Sequence, residues 1–77
     1  MSLEQKISMK KILLDGQGVR VENARKLVHA DGMGFAIVIE DGVRVDKSDD
    51  TYPLLMVEVR NGVVLRVLGG LESRWSS

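Results

Sequence analysis

The chain has 77 residues, 11 basic against 11 acidic side chains, a formal net charge of +0, no Cys and one His. That length gives one domain with one small core, and the absence of Cys excludes disulfide and thiolate–zinc staples. The charge balance supplies no general field for nucleic acid or an anionic membrane surface.

Nothing in the sequence points to a membrane or to export. No apolar run is long enough to cross a bilayer, and Met1-Ser2-Leu3-Glu4-Gln5-Lys6 lacks the basic and apolar regions of a signal peptide, so the chain reads as cytoplasmic. Residues 1–8 read as a disordered extension ahead of Met9-Lys10-Lys11. Residues 9–70 then form a single β domain, and residues 71–77 a C-terminal tail.

In chain order, Ile12-Leu13-Leu14 is a short apolar run, Asp15-Gly16-Gln17-Gly18 a turn signal, and Val19-Arg20-Val21 an alternating strand, which predicts a hairpin. Residues Glu22 to Ala30 admit two readings. Ala24, Leu27 and Val28 lie at helical spacing, with Asn23 to cap and Gly32 to stop a helix. Arg25 to Ala30 also fits a strand paired through residues 31–34 to the next one, and the strand is preferred. Phe35-Ala36-Ile37-Val38-Ile39 is apolar on both alternating faces, so it reads as the central strand, covered on each side.

Asp41-Gly42 is a type I′ hairpin signal that places Glu40 opposite Val43 and Ile39 opposite Arg44. Lys47 to Pro53 reads as a polar connection. Leu54 to Arg60 then turns through Asn61-Gly62 into Val63 to Leu68, a second hairpin in which Val59 meets Val64, Val57 meets Arg66 and Leu55 meets Leu68. The fold class that follows is mainly β: a small antiparallel barrel or sandwich of six or seven short hairpin-connected strands. The alternative is α+β with one short helix around residues 22–30.

Three turn-plus-strand segments repeat Arg between apolar neighbours, and their Arg20, Arg44 and Arg66 are the candidate anion contacts. Small barrels that bind single-stranded nucleic acid also present aromatic platforms, however, and this chain has one Phe, one Tyr and one Trp. Nucleic acid is therefore the weaker partner class. His29, with Asp31 two residues on, is the one candidate general base, and a hydrogen-bonded structural histidine is the simpler reading. Asp46, Ser48, Asp49 and Asp50 vaguely match a calcium loop but lack its turn glycine, and Val57 stands where the bidentate glutamate belongs. They read as solvated loop, and no metal or cofactor is assigned.

Val67-Leu68-Gly69-Gly70 resembles, over those residues alone, the diglycine tail of ubiquitin-like modifiers and sulfur carriers. The diglycine is not terminal and the long helix of that fold has no counterpart, so the family is not assigned.

What remains is surplus apolar surface. The central strand and the last hairpin carry more apolar residues than one interior uses, and no covalent or metal staple offsets the small core. The function that follows is a non-enzymatic interaction module that self-associates, most simply as a dimer, and binds another protein or a ligand. Its expected interface is the outer face or edge strand of the last hairpin, through Met56, Leu65 and Val67, with Trp75 from the tail.

Overall fold

The computed structural model describes residues 2–72. Two helices, α1 (Leu3–Leu14) and α2 (Val21–Ala30), precede four strands, β1 (Gly34–Glu40), β2 (Val43–Ser48), β3 (Leu54–Arg60) and β4 (Val63–Leu71). The strands form one open sheet in the order β2-β1-β3-β4, with antiparallel outer pairs and a parallel central pair, β1 with β3. This is a small α+β domain with a mixed sheet, closer to the one-helix alternative than to the expected barrel or sandwich.

The expected first hairpin is absent. Ser2 caps α1: its hydroxyl accepts from the Gln5 amide (3.2 Å) while the Gln5 side chain accepts from the Ser2 amide (2.9 Å), a reciprocal capping box. The expected extension therefore supplies the first half of a helix, and Ile12-Leu13-Leu14 its last turn. Leu3, Ile7 and Leu14 pack against the core from one side of this helix.

The stretch expected as a strand at Arg25 to Ala30 is helical. Its end explains why. The Gly32 amide donates to His29 O (2.9 Å) and the Met33 amide to Val28 O (3.2 Å), while Val28 and Met33 are both buried. This is a Schellman closure with its hydrophobic contact, and Gly32 takes the left-handed conformation it needs (φ 73°). Lys10, buried on α1, bonds the carboxylate of Asp31 at the end of α2, and Lys6 Nζ donates to Asp31 O (3.3 Å), so cations from α1 meet the negative end of α2.

Both hairpin turns form as the sequence implied, with positive φ at Asp41 and Gly42 and at Asn61 and Gly62. Near the turns the registers also match: Glu40 with Val43, Ile39 with Arg44, Val59 with Val64. Beyond them, irregularities shift the pairing. Two fall along β4, so Val57 meets Val67 rather than Arg66 and Leu55 meets Gly70 rather than Leu68. One falls between Ile37 and Ile39.

Paired residues share a face, and the registers give two chemically distinct sides. One side carries the rungs Lys47–Ile37–Val57–Val67 and Phe35–Leu55–Gly70, and α1 and α2 cover it. Leu14, Val28, Phe35, Leu55, Val57, Val59, Val64 and Val67 are all buried there. A Cβ at Gly70 would meet the Ile7 side chain, which shows how closely α1 lies on β4. The other side carries Arg44–Ile39–Glu58–Arg66 and Ser48–Ala36–Met56–Gly69. Gly69 and Gly70 are thus paired residues within β4, not a free tail.

Candidate functional site

Three regions bear on function: the cluster around Asp49, the exposed face of α1, and the two edges of the sheet. Of these the sequence pointed to one, the edge strand of the last hairpin.

Asp49 follows β2, where the chain passes around the start of β1. Its carboxylate accepts from His29 Nε2 (2.8 Å), from Arg25 Nη1 (3.2 Å) and from the Phe35 amide (2.9 Å). Arg25 also lies over the Phe35 ring, 5.1 Å from its centroid. Burial pushes the Asp49 carboxyl up, but the His29 and Phe35 hydrogen bonds and the Arg25 charge outweigh it and hold the group below the usual carboxylate range. His29 is therefore oriented by Asp49 and not by Asp31, whose own carboxyl is held down by its hydrogen bond from Lys10 against the opposing effect of burial. A cleft of about 230 Å³ lined by His29, Gly32, Met33 and Thr51 opens beside this cluster. Asp49, read from the sequence as solvated loop, thus joins α2, β1 and the β2–β3 connection. Among the described residues no group of three or more His, Asp or Glu side chains is placed to hold a metal ion.

The second region is on α1. While Leu3, Ile7 and Leu14 face the core, Met9, Ile12 and Leu13 stand 46%, 75% and 46% exposed. Their i, i+3, i+4 spacing makes one stripe on the solvent side of the helix. Beside it, Met9 joins Glu4, Gln5 and Ser8 in lining a concavity of about 480 Å³. Apolar residues on both sides of α1 blur the helical period in the sequence, which is why the stripe was not legible there.

The sheet edges differ from each other. β4 lies at one edge, and the end of α1, the segment between the helices and the first residue of α2 satisfy much of it. Gly16 N donates to Leu65 O (2.9 Å), Val67 N to Asp15 Oδ1 (2.7 Å), Lys11 Nζ to Val67 O (3.3 Å), Val64 N to Val19 O (2.9 Å) and Val21 N to Gly62 O (2.9 Å). The expected interface by edge pairing of the last hairpin is therefore blocked along residues 62–67. β2 forms the opposite edge; Val45 is half-buried against the core and the other five residues of the strand are exposed.

The candidate residues separate accordingly. Val67 is 1% exposed and belongs to the core, which removes it from any interface of the folded monomer. Met56 is half-buried on the face away from the helices, opposite Gly69, and Leu65 is 37% exposed on β4. Trp75 lies outside the described residues. Arg44 and Arg66 fall in one rung on that same outer face, with Ile39 and Glu58 between them, and Glu58 Oε1 accepts from Arg66 Nε at 2.7 Å. Arg20 is on neither strand; it stands at the start of α2, 3.8 Å from Glu22.

No protein-family model, no curated protein and no solved structure matches this chain. No helix among the described residues is long and apolar enough to cross a membrane.

Proposed function

We propose that this protein is a non-enzymatic interaction module that assembles with itself and presents the assembled surface to another protein. The observation that supports this reading most is the stripe Met9, Ile12, Leu13. The opposite side of α1 already fills the core, so the apolar surface these side chains leave exposed is not used within the chain, and full burial in a contact is worth roughly 1.5–3 kcal/mol for a side chain that starts fully exposed. The small single core points the same way, since association supplies stability that 77 residues without Cys do not obtain from staples.

Nucleic-acid binding through outward arginines has less support. Glu58 neutralises Arg66, Arg20 is directed to Glu22 from a different element, and the net charge is zero.

Light scattering coupled to size exclusion over a concentration series tests the reading. A mass above that of one chain in the micromolar range supports it, and a single-chain mass at every concentration refutes it.

A further inference from the structure

The two edges of the sheet are managed in different ways. The β4 edge is closed by backbone and side-chain hydrogen bonds from residues 11–21, whereas among the described residues β2 has only charge as protection: Val43-Arg44-Val45-Asp46-Lys47-Ser48. Val43 is 63% exposed, and Val45 reaches the margin of the core.

The direction of the β2 backbone groups follows from its pairing. The Asp49 amide donates to Phe35 O (3.1 Å), and Val43 pairs with Glu40 across the two-residue turn. Val43 and Asp49 therefore address β1 from the two ends of the strand, and alternation between them, across the irregularity that leaves Val45 and Asp46 without β1 partners, turns Arg44, Asp46 and Ser48 to the open edge. A second antiparallel β2 must then match even residues with even residues. Centring the contact on Arg44 sets Arg44 against itself, and centring it on Asp46 sets Asp46 against itself. Centring it on Val45 sets Arg44 against Asp46 twice, Val43 against Lys47 twice, and Val45 against Val45. Arg44 and Ser48 pair on the outer face and Val43 and Lys47 on the helix side, where Val45 packs against the core, so alternation along the strand puts Asp46 on the outer face. Only the Val45-centred register joins opposite charges and extends the core.

From this self-complementary edge we infer that a second copy of the chain docks on β2, antiparallel and centred on Val45, to form a continuous eight-stranded sheet about a twofold axis. The inference rests on the self-association reading above and names its interface. The contact is isologous, so it closes at two copies. The helices leave room for it. α2 lies against β1, and with strands about 4.8 Å apart the two copies of β1 stand about 14 Å apart, beyond the roughly 8–10 Å at which helices pack. The α1 stripes lie toward β4, at the far ends of the assembly, and stay available to a different partner.

The test uses charge reversal of exposed residues. Arg44→Asp places acidic residues opposite Asp46, and Asp46→Arg places basic residues opposite Arg44, so each variant alone should dissociate at least about tenfold more readily than the wild type. Mixed in equal amounts the two are complementary at both positions and should form a dimer of one chain of each, read by light scattering and native mass spectrometry. In the wild type, amide hydrogen exchange should show Arg44 and Asp46 protected at high concentration and released on dilution, a readout that requires no variant. If both reversals leave the wild-type mass unchanged, or if the mixture stays monomeric, the β2 interface is wrong. Dissociation by Ile12→Glu in its place would then leave self-association standing, through α1. A wild-type chain that is monomeric throughout overturns the interface and the reading together.

Discussion

Replacing Asp49 should reveal how much of the fold depends on one carboxylate. Asp49→Ala removes an acceptor shared by His29, Arg25 and the amide of Phe35. The Arg25 and His29 side chains are 41% and 48% exposed, so water screens those pairs to about 0.2–1 kcal/mol each. The Phe35 amide belongs to a fully buried residue and would lose its charged acceptor, at a cost of about 1.5–3 kcal/mol. The sum is about 2–5 kcal/mol, which for a domain of this size lowers Tm by roughly 8–40 °C. Asp49→Asn keeps an oxygen for the amide and should cost less than half as much.

The pH dependence carries the same information. The folded carboxyl titrates below its ordinary value, so the unfolded chain takes up protons first. The contribution of Asp49 is complete above about pH 5 and is lost as pH falls through the lowered folded value. Thermal melts followed by circular dichroism at pH 7 and at stepped acid pH read both effects. A Tm for Asp49→Ala within about 2 °C of wild type, or an acid transition unchanged in Asp49→Asn, would refute the role assigned to this side chain.

Further expectations concern backbone, core and surface. A Cβ at Gly34 would collide with the carbonyl oxygen of Thr51, where residues 49–53 cross the start of β1, so Gly34→Ala should lower stability by about 1–3 kcal/mol or more in a denaturant melt. At Gly62 the space is open but φ is 75°, so Gly62→Val should cost about 1–2 kcal/mol from conformation alone; the same loss for an alanine at Gly34 as for one in an exposed loop would refute the crossing. Val67→Asp should unfold the chain, whereas Ile12→Glu should leave the monomer Tm nearly unchanged and raise solubility; the reverse order would mean that the buried side of the sheet or of α1 has been misassigned.

The half of the chain from Gly34 onward was largely legible in its sequence, because its signals are local. Asp41-Gly42 and Asn61-Gly62 specify turns that the backbone adopts, and the dense β-branched residues around them have few alternatives to strand. The registers held for as long as the pairing stayed regular and were lost at the bulges, which no residue type announces. The first half is less legible, for a different reason at each of its two helices. In α1 the capping box begins at Ser2, inside the stretch whose sequence reads as an extension, and Met9, Ile12 and Leu13 on the wet side fill in the apolar period that would show a helix. In α2 the helical spacing and the stop at Gly32 were visible, but Arg25 to Ala30 also fitted a hairpin register, and only the Schellman closure and the packing of Ala24 and Val28 decide between them.

The candidate regions were less legible because each depends on distant residues. Asp49 acquires its partners 14 to 24 residues away, and the β4 edge is closed from a loop more than 40 residues earlier. Val67 and Leu65 look equivalent in a strand that alternates evenly. The irregularities along β4 bury one and leave the other partly exposed.

The most direct measurement of whether this is a self-associating interaction module is the solution mass of the unmodified chain, by light scattering on an eluting size-exclusion peak from low to high micromolar concentration. A dimer mass that falls toward the single-chain value on dilution is the expected result, and a single-chain mass that holds across the whole range would contradict it.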